Sequence, residues 1–288
     1  EHLRAARWQA ALQGWCDALQ TAAWDGGWYV RAFFDDGSTL GASSHAEARI
    51  DLIAQAWSVL SGVSPSKRLL ERQRLAMDAV ENHLVDPQAG LIQLLTPPLV
   101  HATPSAGYIQ AYPPGVRENG GQYTHAAVWA LMAHAELARR APGDVAAQDL
   151  PWRDFTWLSP AHRAAHPLWG SSYGLEPYAV AADVYSQPPY AGRGGWSWYT
   201  GAAGWLHRAA IESLFGLQMT HDQLWFEPCL PAAWPRATLT LRRGGQRLRF
   251  VLHRDVADAA DGLPLAVGER LRWRELPAAS RFRIALGP

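Results

Sequence analysis

Along the first three quarters of the chain, apolar residues recur with the 3.6-residue period of an amphipathic helix. Leu3, Trp8, Leu12, Trp15 and Leu19 share one face and predict a helix over 2–22, stopped by Asp25-Gly26-Gly27. Trp28–Phe34 reads as a short extended run. Ile50, Ile53, Ala54, Trp57 and Leu60 predict a second helix over 45–61, with Gly62 just past its end. Leu69, Leu70, Met77, Val80 and Leu84 predict a third over 66–84. Further helices are expected over 121–140, 145–166, 176–185 and 201–214. Residues 86–118 break the pattern with six prolines and read as a long loop. Loops of that length in a compact domain often carry function. A second loop, 186–199, holds Pro188, Pro189, Gly192, Gly194 and Gly195.

After Gly216 the period changes to two. Leu224–Glu227, Ala237–Arg243, Gln246–His253, Arg270–Glu275 and Arg281–Leu286 alternate apolar and polar residues, and Gly244-Gly245 signals a hairpin. The pattern therefore gives a mainly α fold with a C-terminal β part, divided into 1–215 and 216–288. The β part is expected to be an antiparallel sheet layer. Paired helices with intervening loops suit an α/α toroid, in which long loops gather at one end and build a site.

Composition narrows the function. The chain of 288 residues is 48% apolar and 18% charged, so it can bury a sizeable core and disorder is disfavoured. Its 26 basic and 26 acidic residues balance, which argues against nucleic acid or an anionic membrane as a partner. Cys16 and Cys229 make neither a disulfide framework nor a metal cluster, so a reducing, cytoplasmic setting is expected. No apolar run approaches the ~20 residues of a membrane helix. Glu1 starts inside a predicted helix, so the chain reads as part of a longer protein. Fifteen Trp and nine Tyr supply flat surfaces suited to sugar rings, although large aromatics also fill helical cores.

Four segments concentrate polar chemistry. Tyr112–His125 (YPPGVRENGGQYTH) delivers Arg117, Glu118, Asn119 and a glycine pair onto a helix start. There Arg117 and Glu118 could grip hydroxyls, His125 could meet an anion, and Gly120-Gly121 could let backbone approach a ligand. The competing reading makes Asn119 a helix cap and Glu118 a partner of the helix dipole. Gly192–Trp205 is a glycine-rich loop entering a helix at Thr200-Gly201, where free N–H groups and a hydroxyl make an anion pocket or merely a cap. Its spacing is not that of a nucleotide-binding loop. Glu176-Pro177-Tyr178, with Asp183 and Tyr185, is a site or a cap. Asp51, Gln55 and Trp57 either line a sugar site or form a buried hydrogen-bonded network. The eleven His are scattered without a metal-binding pattern, and no nucleophile elbow occurs, so a metal-free acid/base mechanism is favoured.

These segments resemble the inverting glycoside phosphorylases that include cellobiose, chitobiose and 1,2-β-oligoglucan phosphorylases. The carrying strings are WDGGWYVRA (24–32), ARIDLIAQAW (48–57), 112–125, 176–185 and 192–205. They run in order through nearly the whole chain. The wording of 112–125 and the aromatic stretch before Thr200 favour the β-1,2-glucan branch, with the C-terminal phosphorylase module of cyclic β-1,2-glucan synthases. The resemblance implies part of an (α/α)6 barrel followed by a β-sandwich-like domain. It implies no cofactor, with inorganic phosphate as co-substrate attacking the sugar to give α-glucose 1-phosphate. By motif, His125, Thr200 and Gly201 would bind phosphate. Arg117 and Glu118, together with Gln55, Trp57 and Glu176, would contact the oligo- or polysaccharide.

Two departures stand out. The family's general acid is an Asp in an Asp-Trp-Asn-Asp-Gly type loop, which does not occur here, so the acid is expected upstream in the parent protein. The Gln that cellobiose-type enzymes place six residues after the Glu-Pro-Tyr glutamate falls at Ala182, leaving Arg193 as a candidate to complete the phosphate pocket. A homodimer is among the expectations, since the family often dimerises. An inverting hydrolase on the same barrel, and a non-catalytic glucan-binding module, are the alternatives.

Overall fold

The helix α5, Thr124–Arg140, runs through the main core. It carries Ala126, Ala127, Ala130, Ala133, Ala135 and Ala138, all buried, and these small side chains let neighbouring helices approach closely. The structure is a computed structural model describing residues 2–62, 66–141, 143–254 and 262–287. Its helices are α1 (His2–Ala18), α2 (Leu52–Leu60), α3 (Lys67–His83), α4 (Tyr108–Ala111), α5, α6 (Val145–Leu158), α7 (Pro160–Ala165), α8 (Gly170–Tyr173) and α9 (Thr200–Arg208). Wider π turns extend α1 over Leu19–Ala23 and α9 over Ala209–Leu214. The chain is mainly α with a C-terminal β region.

Local chemistry sets the helix starts. Asp51 caps α2 by accepting from the Ile53 N–H at 2.8 Å, so that helix begins at Leu52 and not at residue 45. Ser66 caps α3 through the Leu69 N–H, and Asp144 caps α6 through the Ala147 N–H. The helix expected over 176–185 does not form. Instead Asp183–Val184 pairs antiparallel with Gln122–Tyr123, because this segment is held between two loops. Likewise, 145–166 divides at Ser159 into α6 and α7.

The main core gathers Leu52, Ala56 and Val59 of α2, Met77 and Val80 of α3, the inner face of α5, and Trp157 and Leu158 of α6. By contrast, none of the α1 residues is buried, and its Leu3, Trp8 and Trp15 are exposed.

A second core lies in the β region. Leu224, Phe226, Phe250, Phe282 and Ile284 meet there, joined by Trp152 and Phe155 of α6. Phe155 packs against both cores. Trp152 meets Trp234 edge-on, with ring centroids 4.7 Å apart. The sheet is mixed, which corrects the antiparallel expectation. Arg236–Arg243 and Gln246–His253 form the expected antiparallel hairpin, but Ala279–Ala285 pairs parallel to Gln246–His253 and to Leu263–Pro264. A parallel pair needs a long connection, and His253 and Ala279 lie far enough apart in sequence to allow one. A separate three-stranded sheet orders Leu271–Arg272, Gln223–Phe226 and Leu217–Met219.

Candidate active site

Two loops converge on the N-terminal ends of α5 and α9. The segment 180–186 lies between them and binds both through its backbone. On one side Thr124 N–H donates to Ala182 O, and Ser186 N–H donates to Gly115 O. On the other, Ala182 N–H donates to Trp196 O, Gly195 N–H to Asp183 O, and Tyr199 N–H to Val180 O. The loop 112–123 is closed internally by Asn119. That side chain is buried and bonds Leu99 N–H, Leu99 O and Tyr112 O, so it is a loop tie and not a helix cap. Tyr123 takes the cap position of α5. The glycine pair serves packing of the same loop: a Cβ on Gly120 would press on Pro98, and one on Gly121 on Arg117 O and Gly115 O.

Arg117 adopts a left-handed backbone, φ 53°, rare for a residue with a side chain. Its guanidinium lies 5.8, 5.7 and 5.9 Å from the rings of Tyr112, Tyr123 and Tyr199. Its Nε stands 3.7 Å from Glu118 Oε2, and both atoms are buried without a hydrogen-bond partner. A single hydroxyl can satisfy such a pair, accepting from the Nε–H and donating to the carboxylate. Burial together with the Tyr199 hydroxyl raises the Tyr123 phenol well above its usual range, so it stays protonated.

His125 lies one residue into α5, stacked on Tyr123 and tilted against Trp129 and Trp205. Burial alone holds its imidazole below the ordinary value, which favours the neutral ring in the unliganded protein. Across from it, Gly201 opens α9: a Cβ there would sit 3.8 Å from His125 Cε1. Thr200 and Gly201 are exposed at the first turn, where helical N–H groups have no intrahelical acceptor. His125, Thr200 and Gly201 are thus brought together, with Arg117 and Glu118 on the adjoining loop.

The other sequence candidates fall elsewhere. Gln55 is fully buried, and its amide bonds Tyr29 N–H, Tyr29 O and Asp51 O. This corrects its assignment as a sugar contact, since the amide is enclosed and already bonded; the buried-network reading holds for it. Trp57 is partly exposed and meets Trp129 edge-on at 5.4 Å. Glu176 caps no helix; one oxygen accepts from Trp198 Nε1 at 3.4 Å and the other is buried without a partner. Arg193 is exposed and stacks on Tyr190.

Residues 1–216 match the glycosyl hydrolase 94 superfamily, catalytic domain, and 217–261 match the glycosyl hydrolase family 65, C-terminal domain. The chain belongs to the glycosyl hydrolase 94 superfamily. It is 45% identical to cyclic beta-(1,2)-glucan synthase NdvB of Rhizobium meliloti (strain 1021), over 88% of this chain and 8% of that protein. It is 31% identical to solabiose phosphorylase of Paenibacillus borealis, over 77% of this chain and 27% of that enzyme. Identity to N,N'-diacetylchitobiose phosphorylase of Vibrio furnissii is 30%, over 79% of this chain and 27% of that enzyme. The chain thus spans about a quarter or less of these relatives. The relatives carry the names of a glucan synthase and of glycoside phosphorylases. Among the described residues, no helix is long and apolar enough to cross a membrane.

Two polar arrangements escaped the sequence reading, although Asp183 itself was a candidate there. Asp183 reaches the Arg117 N–H, and only the tertiary pairing of two distant loops reveals it. The second is a buried cluster in which Glu81, His134 and Asp154 offer metal-type donors. Arg153 fills that role instead. It forms a bidentate pair with Glu81 at 2.6 and 2.7 Å and bonds Asp154 Oδ1 at 2.6 Å, so a metal cation would face a fixed positive charge. The signal available in the sequence was a His amid the apolar run of α5. A cavity of about 670 Å³ lies at the opposite end of α5, by Arg139 and Arg254, away from all of this chemistry.

Proposed function

We propose that this chain forms the phosphate-binding and acceptor-binding walls of an inverting phosphorylase acting on β-1,2-linked glucan or a related β-glucoside. The barrel is taken to be of the (α/α)6 type, completed by other sequence of the parent protein. The observation that carries the reading is the meeting of His125 with Gly201 at the start of α9. An imidazole, a Thr hydroxyl and free helical N–H groups together suit a tetrahedral anion. Phosphate held there would attack the anomeric carbon from the face opposite the glycosidic oxygen. The C–O bond breaks, the departing oxygen takes a proton, and α-glucose 1-phosphate results. The proton is assigned to an Asp upstream of these residues.

The unpartnered Arg117 Nε and Glu118 Oε2 would take one hydroxyl of the acceptor sugar. Exposed Trp198 and Tyr178, ring centroids 5.8 Å apart, offer apolar faces to further rings beside Thr200. The 45% identity to a β-1,2-glucan synthase supports the linkage. The test is NMR of the anomeric signals when the complete parent protein meets a short β-1,2-gluco-oligosaccharide with and without phosphate. Phosphate-dependent α-glucose 1-phosphate is expected. Glucose release that ignores phosphate would make the enzyme a hydrolase and overturn the roles of His125 and Thr200.

A further inference from the structure

We propose that Asp183 is a positioning residue that sets Arg117 and Glu118 in register with the Thr200 turn. The inference rests on the functional reading above and adds a residue that touches neither substrate. Asp183 is fully buried in the strand segment between the two site loops. Its Oδ2 accepts the Arg117 N–H at 2.8 Å, across 66 positions of sequence. That N–H belongs to the residue in the left-handed conformation, which opens the tight turn that the Asn119 N–H closes on Val116 O at 3.0 Å, so the carboxylate ties this turn to the strand segment. Burial raises the Asp183 carboxyl above its ordinary value, against the opposing pull of Arg117 and the Trp196 N–H. Oδ1 has no hydrogen-bond partner and fills the space that a Cβ on Gly195 would take. One carboxylate therefore holds the acceptor-side loop through Arg117 and rests on the loop that leads into Thr200.

Such a group acts on rate through geometry. A displacement of about 1 Å at a reacting pair can cost on the order of 100-fold. Asp183→Asn removes the charge and turns an N–H donor toward either Arg117 or Gly195. Gly195→Ala keeps the carboxylate but drives a methyl into Oδ1. In the complete parent protein, each variant is expected to lower kcat for phosphorolysis about 100-fold, with KM for phosphate and for oligosaccharide within about threefold. The double variant is expected to be no slower than either single one, because both break the same contact.

Crystal structures of the two variants supply a readout independent of turnover: the turn carrying Arg117 and Glu118 should shift relative to Thr200. Loss confined to thermal stability, with kcat per folded molecule unchanged, would overturn the proposal. So would a turn at Arg117 and Glu118 that keeps its place relative to Thr200 in both variants. Absence of phosphorolysis in the unsubstituted protein would instead strike the functional reading, and the crystal structures would still decide the role of Asp183.

Discussion

Gln55 and Tyr29 close a two-bond ring across 26 residues of sequence: the Tyr29 N–H donates to Gln55 Oε1, and Gln55 Nε2 donates to Tyr29 O, each at 2.8 Å. The side chain thus pairs with the Tyr29 backbone as a strand neighbour would, beside the bridge that Tyr29 makes with Trp24. Replacing Gln55 with Met strands both backbone groups inside the core. The expected loss is about 2–6 kcal/mol by urea unfolding, because each orphaned buried group costs about 1–3. The KM for oligosaccharide should not move. A raised KM with unchanged stability would return Gln55 to the substrate.

The cluster on α3, α5 and α6 predicts a larger effect. Asp154 accepts from the His134 imidazole at 2.7 Å and from Arg153, and these partners, against its burial, hold its carboxyl below the usual range. Asp154→Asn leaves Arg153 with Glu81 alone as counter-charge and takes from His134 its carboxylate partner at 2.7 Å. Breaking a buried pair from one side costs about 3–5 kcal/mol. Denaturant midpoints at neutral pH would show it, and a shift equivalent to less than about 1 kcal/mol would refute the account.

Asp51 behaves in the opposite sense. Burial pushes its carboxyl up to about 6, against the pull of Arg31 and of the Ile53 and Ala54 N–H groups. Between the ordinary value of 3.8 and about 6, the folded chain holds a proton that the unfolded chain releases, so stability falls as pH rises through that window. Asp51→Asn keeps an oxygen for the Ile53 cap and carries no charge. It is expected to gain on the order of 2 kcal/mol at pH 7 relative to pH 4. Thermal unfolding of both proteins at the two pH values checks this, and identical pH profiles would contradict it.

His125 gives a binding prediction. Its ring is held below the ordinary value by burial and should become charged when an anion arrives. Sulfate, which does not titrate near neutrality, should therefore bind with proton uptake, seen as a buffer-dependent calorimetric heat. The uptake should vanish in His125→Ala. Buffer-independent heats in the unsubstituted protein would remove His125 from the anion site.

The helices of the core were legible because each carries its own periodicity, and α3 was expected within one residue at each end. Boundaries failed where a side chain decided them, as Asp51 does for α2. The 176–185 segment misled for another reason. Its composition suits a helix, but its backbone is claimed by a loop far away in sequence and by the loop that follows it. The parallel strand pairs were invisible because alternation reports which face is buried and not the direction of a neighbour. The same distinction runs through the site. His125, Thr200 and Arg117 stood out by residue type beside glycine and proline, whereas Asp183 and Gln55 do their work through contacts 66 and 26 residues away.

Phe155 belongs to both cores, and Trp152 beside it faces Trp234. The chain is therefore not modular at the point where its helices give way to strands. Grafting the strands of another family member at Gly216 would set these two rings against a foreign surface. A workable chimera must carry α6 with the strands, so the natural unit of exchange overlaps the segment that follows the site helix α5.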